Sequence, residues 1–235
     1  MKNTVLIIAH NEEKNIELCI KSILNQTVSL DRIVLIVHNC TDNTISKAKD
    51  FKEVEIFECN EGDAPIYARI EALKHINEND ENIFCIDGDA IAKNNWIKEL
   101  SLLLEENILV GSLVVFKGSI FESFSNITNY IFCVKGNPNR WIWGASFAFH
   151  AKDINFIKDI LEKSIRLKKD LNLSRFAEDF WLALFLQGKG KLEITNKTNI
   201  TVVSKESSLL KSISRNRENA RNGNKMRKYF NLTKK

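Results

Sequence analysis

Between Thr4 and Leu104 a short apolar run is followed, four times over, by a longer amphipathic stretch. The runs are Thr4–Ala9, Ile33–Val37, Val54–Phe57, interrupted by Glu55, and Ile83–Ile86. The first is apolar throughout, the signature of a strand buried on both faces. Ile16, Cys19, Ile20, Ile23 and Leu24 then recur at helical spacing, as do Ile66, Ile70, Leu73 and Ile76, and Trp96, Leu100, Leu103 and Leu104. After the second run, the polar segment His38–Thr44 ends in residues that start helices. This alternation predicts an α/β chain with a Rossmann-like, mostly parallel central sheet flanked by helices. Asn11 and Asp63 are the expected helix caps.

Beyond Leu109 the pattern loosens. Leu113–Phe116 and Phe147–Phe149 read as strands, 152–163 as a helix, and 166–176 as a polar, basic connector. Leu192–Thr195 and Ile200–Val203 read as two short strands, and a last helix is expected from Ser207 or Ser208. The expected division is a first half over 1–107, a second half over 108–204, and a basic helical C-terminal arm over 205–235. The arm holds ten basic residues against Glu206 and Glu218, a net +8 that leaves −4 on the rest of a chain of +4. Such asymmetry points to an anionic partner, although a basic tail is often only a solvated surface.

The chemistry concentrates where the fourth run ends, in Asp87-Gly88-Asp89. Ligands of open α/β sheets sit at the carboxyl ends of strands. Two carboxylates there suit a hard divalent cation that keeps waters and bridges phosphate oxygens. Gly88 would let the backbone turn. The same tripeptide also reads as a plain turn between strand and helix. The first strand is not followed by G-x-G-x-x-G, and no G-x-x-x-x-G-K-[ST] occurs, which argues against dinucleotide oxidoreductases and P-loop NTPases. The five cysteines are scattered, without a C-x-x-C pair, which favours reduced thiols and a cytoplasmic location. No apolar run approaches the roughly 20 residues of a membrane span, so no transmembrane segment is expected.

Several segments, in order, resemble the family 2 glycosyltransferases of GT-A fold. They are Ile8-Ala9-His10-Asn11-Glu12-Glu13, Cys40-Thr41-Asp42-Asn43-Thr44, Ala68-Arg69, Asp87-Gly88-Asp89, Gly144-Ala145-Ser146 and Glu178-Asp179. The resemblance implies inverting transfer of a sugar from a nucleotide diphosphate donor, UDP-linked by preference, with Mn²⁺ or Mg²⁺. By position it puts Ala9, Asn11, Glu12, His38, Arg69, Asp87 and Gly88 around the nucleotide-sugar, and Asp89 on the metal. It makes Asp179 the general base, with Glu178 beside it, 1–107 the nucleotide-sugar-binding half, and 108–204 the acceptor-binding and catalytic-base half. Trp141, Trp143, Gly144 and Ala145 fall on the acceptor side, and Arg215 and Arg217 match a segment that meets the pyrophosphate. The chain departs from the family pattern at Ile8, where proline is usual. His38 stands where an acid often reads the base, Asp63 where a basic residue is common, and Ser214 and Glu218 where Gln and Trp are frequent.

Each of these residues also has a plainer reading. Glu178-Asp179 can cap a helix, and Trp141 and Trp143 can be packing aromatics. The expected acceptor is a glycan, lipid-linked sugar, protein or nucleic acid, possibly polyanionic, and peripheral membrane contact stays open. Two other functions compete: a sugar nucleotidylyltransferase, and a non-catalytic nucleic-acid-binding protein acting through the arm.

Overall fold

A computed structural model of the protein describes residues 2–117, 142, 144–173, 182–183, 186, 192–203, 221–222, 224–226 and 228–229. Strands β1 (Asn3–Ala9), β2 (Arg32–His38), β3 (Val54–Cys59) and β4 (Asn82–Asp87) alternate with helices α1 (Ile16–Leu24), α2 (Thr44–Ala48) and α3 (Pro65–Leu73). Then come β5 (Ala90–Ala92), α4 (Trp96–Leu104), β6 (Leu109–Lys117), β7 (Ser146–His150), α5 (Ile154–Asp170) and β8 (Leu192–Val203). The sheet order is β3-β2-β1-β4-β7-β6-β8-β5. The first four strands are mutually parallel, and β7 is antiparallel to β4 and β6. β8 is parallel to β6 and antiparallel to β5.

That order forces the sheet to curl. β4 and β5 lie four places apart, about 19 Å in a flat sheet at the usual strand spacing. Only Gly88 and Asp89 separate them, and the step from Asp87 to Ala90 reaches at most about 11 Å. The β8–β5 edge must therefore fold back toward the end of β4, and Asp87-Gly88-Asp89 bridges the gap.

Alternation along β1 divides the core between two faces. Val5, Ile7 and Ala9 pack with Ile16, Ile20, Ile23, Trp96 and Leu100 beneath α1 and α4. Leu6 and Ile8 pack with Ile66, Leu73, Ile157 and Leu161 beneath α3 and α5. Buried Trp96 donates its ring N–H to Ser146 Oγ (2.9 Å), which lies 2.6 Å from Ser112 Oγ, so α4 is pinned to β6 and β7.

The structure corrects several sequence expectations. Asn11 does not cap α1: it lies at φ 54°, and the helix begins at Ile16, with Asn15 at the cap position. Asp63 does not cap α3, which starts on Pro65 after Ala64; proline is suited to the first helical position because its missing N–H has no partner to lose there. The basic stretch after 163 continues α5 to Asp170, because Ile157, Ile160, Leu161, Ser164 and Leu167 keep one buried stripe. Two expected short strands form a single β8, with an irregularity where Ser112 and Leu113 pair with Thr195 and Asn199. Part of the C-terminal arm is docked: Met226 is fully buried and Tyr229 packs against the core on the α3–α5 face. Lys225 Nζ donates to the carbonyls of Leu171 (3.4 Å) and Asn172 (2.9 Å), at the exit of α5. The expected helix from Ser207 or Ser208 lies outside the described residues.

Candidate active site

Three turns converge at the carboxyl ends of β1, β2 and β4. The first two, after β1 and β2, are stapled together. Asn11 Oδ1 accepts from the backbone N–H of Thr41 (2.7 Å) and Asp42 (3.3 Å), an arrangement its left-handed backbone makes reachable. The Glu12 N–H donates to Thr44 Oγ1 (2.7 Å), and the Glu13 N–H to Asp42 Oδ2 (3.0 Å). Burial pushes the Asp42 carboxyl upward, but the hydrogen bonds from Thr44 and Glu13 outweigh it and hold the group below its ordinary value. Glu12 is buried, with Oε2 accepting from Asn15 Nδ2 (2.9 Å).

The Asp87-Gly88-Asp89 turn sits against the end of β1. The Gly88 N–H donates to the Ile8 carbonyl (2.7 Å), and the Val203 N–H at the end of β8 donates to the Asp89 carbonyl (3.0 Å). A Cβ on Gly88 would stand 2.9 Å from Ala9 Cβ and 3.3 Å from Ala9 Cα and the Ile8 carbonyl oxygen. Close approach of two backbones, rather than the turn expected from sequence, is what requires glycine here. Arg69, at 5% side-chain exposure, donates from Nη2 to Asp87 Oδ1 (2.8 Å), with its guanidinium 5.7 Å from the Phe147 ring centre. Beneath the turn lies Cys19, its Sγ 3.6 Å from the Asp87 carbonyl. Burial, then the carboxylates of Asp89, Asp87 and Glu12, push its thiol far above the ordinary range. Three acids are thus concentrated at one end of the sheet.

His38 is almost wholly covered, with Nε2 2.9 Å from the Glu61 carbonyl. Asn39 Nδ2 also lies 3.2 Å from Nε2, but the nearer Glu61 carbonyl only accepts, which favours the proton on Nε2. Asn39 Nδ2 donates to the Gly62 carbonyl (2.8 Å), and His10 Nδ1 to the His38 carbonyl (2.7 Å). The turn after β3 is therefore tied to the end of β2. Gly62 has φ +65°, with the Tyr67 ring where a Cβ would be.

The sequence matches the Glycosyl transferase family 2 model over residues 4–162. The chain belongs to this family. Its mixed α/β sheet is of the GT-A kind. No curated protein matches it. Among solved structures it resembles residues 1–349 of S. aureus TarS in complex with UDP-GlcNAc, with a TM-score of 0.57 at 15% identity, over 88% of this chain and 60% of that one. It also resembles the Mycobacterium tuberculosis glucosyl-3-phosphoglycerate synthase bound to Mn²⁺, UDP and phosphoglyceric acid, with a TM-score of 0.57 at 16% identity, over 91% and 73% of the two chains. A third likeness is to the Anaerococcus prevotii 4-diphosphocytidyl-2C-methyl-D-erythritol synthase, with a TM-score of 0.57 at 15% identity, over 83% and 86%. The chain thus spans about 60% of the TarS fragment. At these identities the likenesses establish the fold.

Of the residues singled out from the sequence, Ala9, Asn11, Glu12, His38, Arg69, Asp87, Gly88 and Asp89 lie on the strand ends, adjoining turns and first turns of α3 that make up this end of the sheet. Gly144 and Ala145 lead into β7, both half-buried, with Ala145 packed on the α1–α4 core. Trp141, Trp143, Glu178, Asp179, Arg215 and Arg217 lie outside the described residues. Sequence reasoning missed Phe147 and Val203. Each meets its partner across more than seventy residues, so no local pattern marks it; only the continuous burial of β7 and the alternation of β8 hint at them.

The donor set bears on a metal. Among the described residues no group of three or more His, Cys, Asp or Glu side chains converges as a metal cage. Asp87 is engaged by Arg69, while Asp89 sits half-exposed in the same turn. One carboxylate, completed by substrate phosphates and water, fits Mg²⁺ or Mn²⁺ rather than a structural ion.

Proposed function

We propose that this chain is a glycosyltransferase that moves a sugar from a nucleotide diphosphate donor to an acceptor hydroxyl, with divalent-metal dependence and inversion at the anomeric carbon. The observation that carries this reading is the Asp87-Gly88-Asp89 turn, pressed on the end of β1 and held by Arg69. Ala9, Asn11 and Glu12 would line the nucleoside, and Asp87, oriented by Arg69, would accept from the ribose hydroxyls. Asp89 would hold Mn²⁺ or Mg²⁺ on the diphosphate. The metal would supply charge neutralisation for the leaving group. Arg215 and Arg217 would add to it. Asp179, with Glu178 beside it, would take the proton from the attacking hydroxyl. Trp141, Trp143, Gly144 and Ala145 would face the acceptor. In functional terms 1–107 would serve the donor, 108–204 the acceptor, and 205–235 an anionic group.

A UDP-linked donor is the preferred substrate. His38 supports it in a modified form. With Nε2–H given to Glu61, Nδ1 is the ring's acceptor and can take the place of a carboxylate toward an imide N–H. The TarS and glucosyl-3-phosphoglycerate synthase structures hold UDP-GlcNAc and UDP, in keeping with that choice.

The nucleotidylyltransferase reading gains support from the Anaerococcus likeness. It is disfavoured by the turn after β1, which carries no glycine-rich phosphate loop and is stapled to the turn after β2. One assay separates the two. The protein is incubated with UDP-, GDP- and CDP-sugars, with and without Mn²⁺, and in parallel with CTP or UTP plus sugar phosphates. Release of nucleoside diphosphate from a sugar nucleotide supports the proposal. Pyrophosphate release from a nucleoside triphosphate contradicts it.

A further inference from the structure

The arm and α5 meet at one place, and the topology fixes where. β7 runs antiparallel to β4, so His150 lies beside Asn82 and the chain turns at Ala151–Asp153 at the end of the sheet away from Asp89. α5 starts there and packs through Ile157, Leu161 and Leu167 along the same core as β1 and β4. Its 17 residues span about 25 Å. It therefore ends toward the carboxyl ends of the parallel strands, where the candidate active site lies. β8 also ends there, with Val203 bonded to Asp89. The arm leaves from that point, and Lys225 and Met226 bring it back to the exit of α5.

This docking merges two sets of cations. Arg166 and Lys169 are exposed near the end of α5; Arg221 and Lys228 are exposed on the arm. Among the described residues none of these four is paired with an acid, and Asp170 is the one acid in the last turn of α5. The ion pairs of α5 lie earlier, at Lys158–Glu162 and Lys163–Asp159. Among the described residues the exposed large apolar ones are Leu18, Leu24 and Leu102, on α1 and α4, which cover the opposite face of the sheet. A membrane-binding surface combines basic residues with apolar side chains that insert. Among the described residues this one carries charge with no exposed large apolar side chain.

We propose that Arg166, Lys169, Arg221 and Lys228 form a docking surface for a polyanionic acceptor other than a nucleic acid, a flexible polymer with negative charge repeated along it; among the described residues no large aromatic ring is exposed on which bases could stack. The surface would hold the polymer beside the donor site while one of its hydroxyls is glycosylated. The proposal rests on the transferase reading above and deepens it by naming the acceptor class. Lys225 is a separate matter, since its ammonium caps α5 and holds the arm in place.

The test is direct binding of long-chain inorganic polyphosphate to the full chain, without donor or divalent metal, across a salt series. Failure here is thus distinct from failure of donor hydrolysis. Engagement of these four cations predicts a log–log salt slope of about −2.8, or about 50-fold weakening between roughly 50 and 200 mM salt. The variant Arg166→Gln/Lys169→Gln/Arg221→Gln/Lys228→Gln should keep its melting temperature, lose most of that affinity, and flatten the slope to near zero. The control Lys158→Gln/Lys163→Gln should bind as the parent does. Equal binding by the quadruple variant overturns the proposal, as does equal loss in the control. Tighter binding to phosphatidylserine-containing vesicles, or to single-stranded DNA, than to polyphosphate also overturns it.

Discussion

Replacing Gly88 with alanine tests the geometry at the centre of the site. The new methyl would stand 2.9 Å from Ala9 Cβ. Carbon atoms pack comfortably at about 3.5–4.0 Å, so one strand end must retreat by about 0.6 Å or more. Neither side yields freely. Gly88 is tied to the Ile8 carbonyl at 2.7 Å, and Asp89 to Val203 at 3.0 Å. Overpacking of this kind costs about 1–3 kcal/mol. For a chain of this size that lowers the melting temperature by about 2–12 °C. Retreat also separates Asp87 and Asp89 from Ala9 and Glu12, and misplacement on this scale lowers turnover by about 10–100-fold. The assay is thermal melting together with donor hydrolysis, run on Gly88→Ala, Ala9→Gly and the double variant. Ala9→Gly removes the 2.9 Å contact and leaves the two at 3.3 Å, so the double variant should recover part of both losses. Unchanged melting and turnover in Gly88→Ala, or no recovery in the double variant, would refute the close-approach account.

Three further outcomes follow from other parts of the structure. Asp42 is held below its ordinary 3.8 in the fold, so its contribution to stability is present above that pH and is lost as the pH falls through the lower folded value; Asp42→Asn should therefore flatten the acid limb of a stability–pH curve, and an unchanged limb would contradict the loop staple. Met226→Ala removes a buried side chain worth about 2–5 kcal/mol in a rigid core, with the effect capped by the docking energy of the arm, and should speed proteolytic cleavage of the arm; an unaltered digestion rate would show that Met226 does not anchor it. Asp179→Asn should lower turnover by about 10²–10⁴-fold with donor affinity unchanged, whereas near-parental turnover would move the base elsewhere.

The sequence disclosed the first half of the fold because the signals there are local. β1 to β4 were each legible within two residues of their ends: β1, β2 and β4 as continuous apolar runs buried between two helical layers, and the half-buried edge strand β3 as an apolar run broken by Glu55. β5 was not legible: Ala90-Ile91-Ala92 is too short for any period, and it exists because the sheet curls back onto it. β8 was divided in the reading because exposed Asn196 and Lys197 interrupt its alternation, where the ladder with β6 is also irregular. The basic end of α5 looked like a connector because charge hid a buried stripe that continues to Leu167. In the site, Asp87, Gly88 and Asp89 were legible as a group. The reason for the glycine was not, because Ala9 lies nearly eighty residues away. Asn11 was read as a cap from its residue type; its φ of 54° puts its side chain to work joining two loops instead.

The central claim is that Asp89 holds a divalent metal on the diphosphate of a nucleotide-sugar. Calorimetric titration of UDP into the parent and into Asp89→Asn, each with and without Mn²⁺, tests it most directly. The account predicts that Mn²⁺ tightens UDP binding to the parent by at least about tenfold, about 1.4 kcal/mol, and that Asp89→Asn loses this gain while keeping its melting temperature. Equal Mn²⁺ enhancement in the two proteins would contradict it.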